Sequence, residues 1–572
     1  MLRKILFYCL AVCFLLPLSA QEAQKREMRT VWIATVANID WPQIKGTGAD
    51  VIAKQKKQLT DLLDGFVNTN MNSVCLQVRP MADALYKSSY EPWSRYISGT
   101  RGVDPGWDPL AFAVEECHKR GLELNVWLNP YRFSNSGGND NTTPQDEELK
   151  KSGTLMTVGQ SVVFNPALES SRRRLLNVCK ELIQNYEIDG IIFDDYFYPG
   201  GGTPTDNTAP DYQLWKDAHS GLSIADWRRA NVNLMVKEVY NLVQATKPYV
   251  KFSIGPAGVA GTAATSASQH HVDPCPVGSD WQYSTIYSDP LAWLEEGTID
   301  YISPQLYWKT THATNPFGPL TQWWSYVANH FGRHHYASHN IYFMQSTNSP
   351  LDWAEIASQI SLSRQYNLDN APGVNFYSAK YINGPTCAGL GEYLRQNLFT
   401  HKALQPALTW KPKTNFDAPA GATLQGGVLS WTGVNKSLVR YSVYAIPASV
   451  GIDEAKSAKF GGIKSDYLLD VTYKPTFTIP GAYLNGYYYA VCVVDGWNNE
   501  FAPVYVNAPA GEAEQVTLIS PTGGAVTQWV QPFKWTAAAG ATYRLQIARD
   551  SGFSAVVLET AAIAENEVTL DL

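Results

Sequence analysis

Eight short apolar runs, separated by helical patterns, constrain the fold of this 572-residue chain more than any other feature. Each run is continuously apolar rather than alternating, which is typical of parallel strands covered on both faces. The runs lie at residues 29–36, 73–79, 122–130, 189–195, 250–256, 299–308, 340–345 and 373–379. Between them, sets such as Leu59, Leu63 and Phe66 keep the spacing of one helix face. Eight strand–helix units predict an α/β fold, a (β/α)8 TIM barrel with enlarged loops, over residues 27–404.

A doubly wound open sheet is the alternative arrangement of such units. It is disfavoured because no glycine-rich fingerprint follows the first run.

The pattern changes after Leu404 to short strands with turn signals and no amphipathic helix. Residues 412–510 resemble a fibronectin type III domain, an all-β immunoglobulin-like sandwich, with Trp431 in its core. Residues 514–572 repeat the pattern but are too few for a sandwich of about 100 residues, so we expect either a truncated chain or an incomplete second module. We expect these modules to be non-catalytic spacers, and a barrel ending near Leu404 to keep most of its activity on short soluble substrates.

Residues 1–20 have a basic start, an apolar stretch and small residues at the end, which predicts a signal peptide. A lipid anchor at Cys13 is the rival interpretation. Export to the periplasm, the cell envelope or the medium is therefore expected, and no later run is long enough to span a membrane. A formal net charge of −7 does not favour nucleic-acid binding. The oligomeric state stays open.

Cysteine and histidine spacing does not resemble a metal site. The adjacent pairs His270–His271 and His334–His335 are predicted to be solvated loop residues. We therefore expect neither a metal nor an organic cofactor.

Polar and aromatic side chains follow the predicted strand ends, where TIM barrels place their active sites. Aromatic faces that can stack on sugar rings, together with amides and acids that can bond hydroxyls, are typical of a polysaccharide site. The candidate substrate-binding residues are Asn38, Asp40, Trp41, Arg79, Asn129, Tyr131, Tyr196, Gln305, Tyr307, Trp308 and Tyr377. Arg79 and Arg132 could be either substrate-binding residues or structural ion-pair partners. Trp32 and Trp127 are assigned to the core.

Asp194 and Asp195 end the fourth run, in DGIIFDDYFYP, and are the candidate catalytic residues. Adjacent buried carboxylates repel each other and are costly to desolvate, which favours a function for the pair. Neighbouring strand residues point to opposite faces, so both can reach one substrate only where the strand ends or twists. Two-carboxylate glycosidases usually separate the groups by about 5–9.5 Å, whereas substrate-assisted enzymes are an exception to that scheme. If the sugar carries a 2-acetamido group, we expect Asp194 to orient that group and Asp195 to donate the proton, with the reverse order open.

Several stretches resemble the bacterial glycosyl hydrolase-like 10 family in order along the chain. They are MRTVWIATVANIDWP, LQVRPMADALY, VWLNPYR, FNPA, DGIIFDDYFYP and DYISPQLYW. The resemblance implies a TIM-barrel glycosidase that cleaves peptidoglycan glycan strands stripped of their stem peptides. It also implies an acidic centre at Asp194 and Asp195, with sugar-binding neighbours at Asn129, Tyr131, Gln305 and Tyr307.

One stretch departs from the expected pattern: the small and polar GVAGTAATSASQHH replaces an aromatic-bearing loop after the fifth strand. A dietary or host polysaccharide is therefore an alternative substrate. A non-catalytic glycan-binding barrel is a third hypothesis, disfavoured by the intact aspartate pair.

Overall fold

The computed structural model describes most of the chain. Described residues are 23–341, 350–368, 371–508, 517–521, 530–537, 543–549, 556–561 and 563–571. The predicted signal peptide lies outside them, as does most of the seventh predicted strand at 340–345.

Eight parallel strands form a closed barrel. They are β1 (Met28–Ile33), β2 (Ser73–Arg79), β3 (Glu123–Leu128), β4 (Gly190–Asp194), β5 (Lys251–Gly255), β6 (Tyr301–Ile302), β7 (His334–His335 and Ala337–Asn340) and β8 (Gly373–Tyr377). Each strand pairs with the next along the chain, and β8 pairs with both β7 and β1, so the sheet closes. The predicted (β/α)8 barrel is confirmed.

The seventh strand lies earlier than predicted. His334 and His335, assigned from the sequence to a solvated loop, are buried in β7 instead. Burial lowers the pKa of both imidazoles to about 3, so both are neutral at pH 7. His270 is also buried, between Asp289 and Glu295. Two adjacent histidines, such as His334 and His335, can therefore lie in a strand when both rings are buried away from water.

Helices cover the outside of the barrel. The main ones are Ala49–Asn68, Pro109–Lys119, Glu169–Asn185, Ile224–Thr246, Pro290–Glu295, Phe317–His330, Pro350–Tyr366 and Leu390–Asn397. Shorter helices are Val36–Asn38, Arg95–Ser98, Pro144–Lys151, Tyr212–Ala218, Ala264–Gln269, Trp281–Ser284, Ala379–Ile382 and Pro385–Cys387. A small antiparallel sheet of Arg132–Ser134, Leu155–Val158 and Ser161–Phe164 follows β3. Leu59, Leu63 and Phe66 are buried, as their spacing predicts.

Side chains of β4 alternate between two cores. Ile192 belongs to the cluster that fills the barrel interior with Trp32, Trp127 and Tyr301. Its neighbours Ile191 and Phe193 pack outward in the layer between strands and helices. Because successive strand residues face opposite sides, Asp194 points into the barrel, two residues beyond Ile192.

The residues after the barrel form two antiparallel sheets, as expected for an all-β domain. One contains Thr423–Gln425, Val428–Ser430 and Thr476–Thr478, and the other Leu468–Thr472, Arg440–Pro447, Tyr487–Val494 and Glu500–Val506. We call this domain the sandwich. Leu429, Trp431 and Val491 lie in its core, as predicted for Trp431. Its assignment as a fibronectin type III domain stays a prediction.

The sandwich is not a loosely attached module, because it forms one compact unit with the barrel. Arg440 pairs with Glu123 at the start of β3 at 2.6 Å. The Tyr473 hydroxyl donates to Asp189, just before β4, at 2.8 Å, and Lys411 pairs with Asp300, just before β6, at 2.6 Å. We call these N-terminal strand ends the base of the barrel. Truncation near Leu404 would expose these three partnered acids, and the activity expected of such a barrel stays a prediction.

A second compact unit contains residues 448–454 and 507–572. Its strands are Leu518–Ser520, Val530–Trp535, Gln546–Ala548, Val556–Glu559 and Glu567–Asp571. They form one three-stranded and one two-stranded sheet. Phe533 and Trp535 are buried.

Candidate active site

A cavity of about 580 Å³ lies at the C-terminal ends of the barrel strands. Trp32 and Trp127 line it from inside the barrel, with their rings edge to face at 4.9 Å. The lining also includes Asp194 and four other predicted site residues: Tyr196, Gln305, Tyr307 and Tyr377. The structure therefore brings together side chains from the ends of β4, β6 and β8.

Asp194 is held by neutral donors. Trp127 donates its indole N–H to Asp194 Oδ2 at 3.1 Å, and Asn129 donates its amide to the same oxygen. Asn129 is itself positioned by Gln77, whose Nε2 donates to Asn129 Oδ1 at 2.9 Å. Asp194 Oδ1 is buried without a hydrogen-bond partner. One carboxyl oxygen is thus fixed, and the other is left for a ligand.

Asp195 follows the last residue of β4, where the strand ends. Gln305 Nε2 donates to Asp195 Oδ1 at 3.2 Å and to the Gly255 carbonyl at 2.9 Å. The end of the strand satisfies the condition under which adjacent aspartates can serve one site. Gln305 therefore connects Asp195 to the end of β5.

Both aspartates have raised pKa values. Burial raises the pKa of Asp194 to about 7, an effect that Arg132 opposes and the neighbouring Asp195 charge reinforces. Burial also raises the pKa of Asp195 to about 6, against its own backbone N–H and the Gln305 amide, which favour the carboxylate. Two carboxyl groups near neutrality can act as proton donor or as hydrogen-bonding partner in one site.

Aromatic side chains and one arginine form the sides of the cavity. The Arg132 guanidinium lies 4.1 Å from the ring centre of Tyr196, which is 48% exposed. The rings of Tyr307 and Tyr377 stack at 5.6 Å. Exposed aromatic faces beside carboxyl and amide groups match what a sugar ring offers, namely apolar C–H faces and hydroxyl edges.

Three predicted substrate-binding residues near β1 support the loops instead of lining the cavity. Asn38 donates its amide to the carbonyls of Pro42 and Tyr96 at 2.7 and 2.8 Å. Asp40 accepts from the Ala34 and Lys380 backbone N–H groups and so ties the β1 loop to the β8 loop. Trp41 is fully buried and donates to the Gln55 carbonyl at 2.9 Å. Strand-end position alone does not distinguish a side chain that faces the cavity from one that holds a loop.

Arg79 and Tyr131 are also directed into the protein. Arg79 pairs with Glu91 at 2.7 Å, the structural alternative left open from the sequence. The β2–β3 register shifts between Gln77 and Arg79. Such a bulge re-aims side chains, so Gln77 rather than Arg79 faces the cavity. Tyr131 is fully buried against Phe197. Asn129 donates its amide to Asp194 and so positions that carboxyl group. Trp308 lines a neighbouring pocket.

Sequence reasoning missed several residues that line the cavity: Trp32, Gln77, Tyr96 and Trp127. Arg132, for which a structural ion pair was the alternative, also lines it. The period of two in β3 contains a signal for one of them. Trp127 lies two residues before Asn129, so a strand that directs Asn129 inward also directs Trp127 inward. For Tyr96 no such signal exists, because it comes from a helix of the long segment after β2.

No group of three or more His, Cys, Asp or Glu side chains within the described residues could hold a metal ion. Within the same residues, none of the helices combines the length and the apolar character that a bilayer crossing requires.

Comparison with known proteins places this cavity in context. The family model described as glycosyl hydrolase-like 10 matches residues 27–353. Glycosyl hydrolase YngK of Bacillus subtilis (strain 168) is 37% identical over 408 residues, which cover 70% of this chain and 77% of the relative. Glycosyl hydrolase DigH of Escherichia coli (strain K12) is 28% identical over 401 residues, 66% of this chain and 89% of the relative. Among solved structures, the glycoside hydrolase domain of PgaB (BpsB) from Bordetella bronchiseptica superposes with a TM-score of 0.42 at 12% identity, over 67% of this chain and 99% of that one.

The family match spans most of the barrel, including β1 to β7 and the aspartate pair. The relatives are aligned over two thirds or more of their own length. The chain is therefore a glycoside hydrolase that belongs to the glycosyl hydrolase-like 10 family.

Proposed function

We propose that this enzyme cleaves N-acetylated glycan strands of the peptidoglycan type by substrate-assisted catalysis. The observation that carries the proposal is the pair of adjacent carboxyl groups with raised pKa values: Asp194, near 7, lines the aromatic-sided cavity, and Asp195, near 6, is bonded to Gln305 of the same lining. Two neighbouring acids suit a substrate that brings its own nucleophile, because the protein then needs one group to orient and one to protonate.

Asp194 orients the acetamido group in this mechanism. Its Oδ2 is occupied by Trp127 and Asn129, and its buried Oδ1 has no protein partner. An amide N–H of the substrate would satisfy that oxygen. The acetamido carbonyl oxygen then attacks the anomeric carbon as the glycosidic bond breaks, which gives a cyclic oxazolinium intermediate that water opens.

Asp195 donates the proton to the departing glycosidic oxygen. A general acid must be protonated at the working pH, and the pKa of about 6 keeps a useful fraction of Asp195 protonated near neutrality. Gln305 holds the Oδ1 atom of Asp195, and in this mechanism the other oxygen carries the proton to the substrate. Asp195 then serves as the base that activates water in the second step.

Export supports the same proposal. The pattern of residues 1–20 predicts a signal peptide, and an exported enzyme meets cell-wall strands outside the cytoplasm. We therefore propose a periplasmic, cell-envelope or extracellular location.

Mass spectrometry of the products from purified glycan strands tests the substrate. We expect wild-type enzyme to release sugar-only fragments from strands stripped of peptides, and fewer fragments from strands that carry them. The matched control is Asp195→Asn, which should release few fragments from either preparation.

Intact strands in both preparations, with cleavage of a polysaccharide that lacks acetamido groups, would replace the cell-wall substrate by a dietary or host glycan. Cleavage of peptide-bearing and stripped strands at equal rates would agree with an N-acetylated substrate but contradict the proposed preference for stripped strands.

A further inference from the structure

A second pocket of about 390 Å³ lies beside the cavity and shares two of its residues, Gln305 and Tyr307. Its other walls are small residues after β5, such as Gly258, and two tryptophans, Trp281 and Trp308. None of its lining side chains carries a charge. The two spaces therefore meet at Gln305, the residue that bonds Asp195.

Trp281 is the most exposed of the aromatic side chains in this pocket, at 38%. Its position is set from two sides. The neighbouring Asp280 accepts the backbone N–H groups of Thr262 and Ala263 at 2.8 and 2.9 Å. On the other side, the Trp281 ring lies against Gly200, where a Cβ atom would come within 3.6 Å of it. A large apolar ring is thus held in place while part of its face stays in solvent.

Close packing explains why small residues follow β5. A Cβ on Gly258 would lie 2.5 Å from the Gln305 carbonyl oxygen, and one on Gly261 would lie 2.5 Å from the Trp323 ring. Gly261 also has a positive φ of 71°, which favours glycine. The stretch that departs from the expected aromatic loop is therefore packed closely on β6 and the outer helices. It leaves a hollow that the later residue Trp281 borders.

We propose that this second pocket binds the uncharged sugar ring on the leaving-group side of the scissile bond, stacked on Trp281. The inference rests on the proposed function, in which Asp194 serves the sugar in the main cavity. Asp195 accepts a hydrogen bond from Gln305, a residue that both spaces share, and the proton donor is needed at this junction, where the bridging oxygen would lie. An uncharged lining with exposed indole faces suits the C–H face of a pyranose better than an anionic group.

The test separates the two sugars by changing the leaving group. The first substrate is peptide-free glycan strands, and the second is the glycosyl fluoride of the sugar found at the new reducing ends, whose leaving group is a single atom. We expect Trp281→Ala to lower kcat/KM on strands about tenfold, the scale of an aromatic stacking interaction, mainly through KM. On the fluoride its kcat/KM should stay within about twofold of wild type.

Two further variants act as controls. Trp281→Phe keeps an aromatic face and should recover most of the loss on strands. Trp215→Ala removes a tryptophan that lines neither space and should leave both substrates unchanged.

An equal loss on strands and fluoride would overturn the inference, since Trp281 would then support the catalytic loop. Unchanged kcat/KM of Trp281→Ala on strands would overturn it as well. Failure of wild-type enzyme to cut N-acetylated strands is a different result, because it removes the proposed function on which the inference rests.

Discussion

Strand β4 carries a buried aspartate at each end, and the two have opposite electrostatic surroundings. Asp189, just before the strand, receives the His118 imidazole at 2.9 Å, the Tyr473 hydroxyl at 2.8 Å and the Leu124 N–H at 2.7 Å. Asp194, at the other end, receives side-chain donors from the neutral groups of Trp127 and Asn129. The aspartate at the base and the aspartate at the cavity thus have different hydrogen-bond partners, although they flank the same strand.

The pKa values follow these surroundings. Burial raises the pKa of Asp189, but His118, with Lys251 and Arg440 farther away, outweighs it, and the pKa is lowered from its usual value. At Asp194 burial prevails, and the pKa rises to about 7. Burial acts on both, so the outcome depends on whether nearby cationic groups outweigh it: they do at Asp189, whereas Arg132 does not at Asp194. Asp189 therefore stabilises the base, whereas Asp194 keeps a raised pKa that suits it to chemistry.

Removal of either aspartate of the adjacent pair should have the largest effect. We expect Asp194→Asn and Asp195→Asn to lower kcat on glycan strands about 10²- to 10⁴-fold. The loss from Asp195→Asn should shrink on an aryl glycoside, whose good leaving group needs little protonation. Wild-type activity should also fall as pH rises through the Asp195 pKa of about 6, because the acid loses its proton. Steady-state kinetics on both substrates measures these effects.

Asp189→Asn is the matched control for that comparison, because it changes the other end of the same strand. Its turnover per folded molecule should equal that of wild type. Near-normal turnover of both Asp194→Asn and Asp195→Asn on strands would remove β4 from the catalytic centre.

Breaking an ion pair at the base should mainly cost stability. Among the described residues, Arg440→Met leaves buried Glu123 with Lys251 as its remaining ion-pair partner, at 3.0 Å. Loss of one partner of a buried pair costs about 3–5 kcal/mol of unfolding free energy. Denaturant unfolding measures it. The control is Arg173→Met, since Arg173 and Glu169 form a surface pair, 70% and 71% exposed, on one helix. Such pairs contribute about 0–1 kcal/mol, and equal losses in the two variants would contradict the buried role of Arg440.

The two ends of β4 should respond to pH with opposite signs. The pKa of Asp194 is about 7 in the folded protein and about 4 in the unfolded chain. As pH rises from 4 to 7, the unfolded chain loses this proton more readily than the folded protein, so the folded state loses stability. Asp194→Asn should therefore gain stability over wild type, on the order of a few kcal/mol, above pH 7 and little at pH 4. Asp189 has a lowered pKa and stabilises the fold above about pH 4. Asp189→Asn should lose stability at pH 7, and less as pH falls.

Unfolding free energies measured at pH 4, 5.5, 7 and 8 would show the two trends. Parallel pH dependence of the two variants would mean that burial, rather than partners, controls both carboxyl groups.

The smallest expected effect comes from one hydroxyl at the base. Tyr473→Phe removes the donor to Asp189 but keeps the ring that stacks on His118 at 3.8 Å. A hydrogen bond to a charged group contributes about 1.5–3 kcal/mol, so thermal and denaturant unfolding should show a loss in that range. Tyr483→Phe alters a sandwich tyrosine outside this contact and should change little. A loss in Tyr473→Phe no larger than in that control would mean that water replaces the hydroxyl.

The sequence predicted one part of the cavity well and another poorly. Asp194, Tyr196, Gln305, Tyr307 and Tyr377 follow strand ends, and the structure brings them to one cavity. Asn38, Asp40, Trp41, Arg79 and Tyr131 also follow strand ends, yet they bond or pack inside the protein. Position along the chain decides which end of the barrel a residue reaches. It does not decide the direction of a side chain in a loop, which depends on partners far away in sequence.

The number of strands, the parallel barrel and the adjacent aspartates at its rim were determined by the sequence itself, because local apolar periodicity and strand ends are properties of neighbouring residues. Tertiary structure alone decided that Gln77 replaces Arg79 at the cavity, that Trp281 borders a second pocket, and that the sandwich supplies Arg440 and Tyr473 to the base. Each of these contacts joins residues distant in the chain. Their energies arise from burial and charge pairing, which exist only once the barrel has closed and the sandwich has packed beneath it.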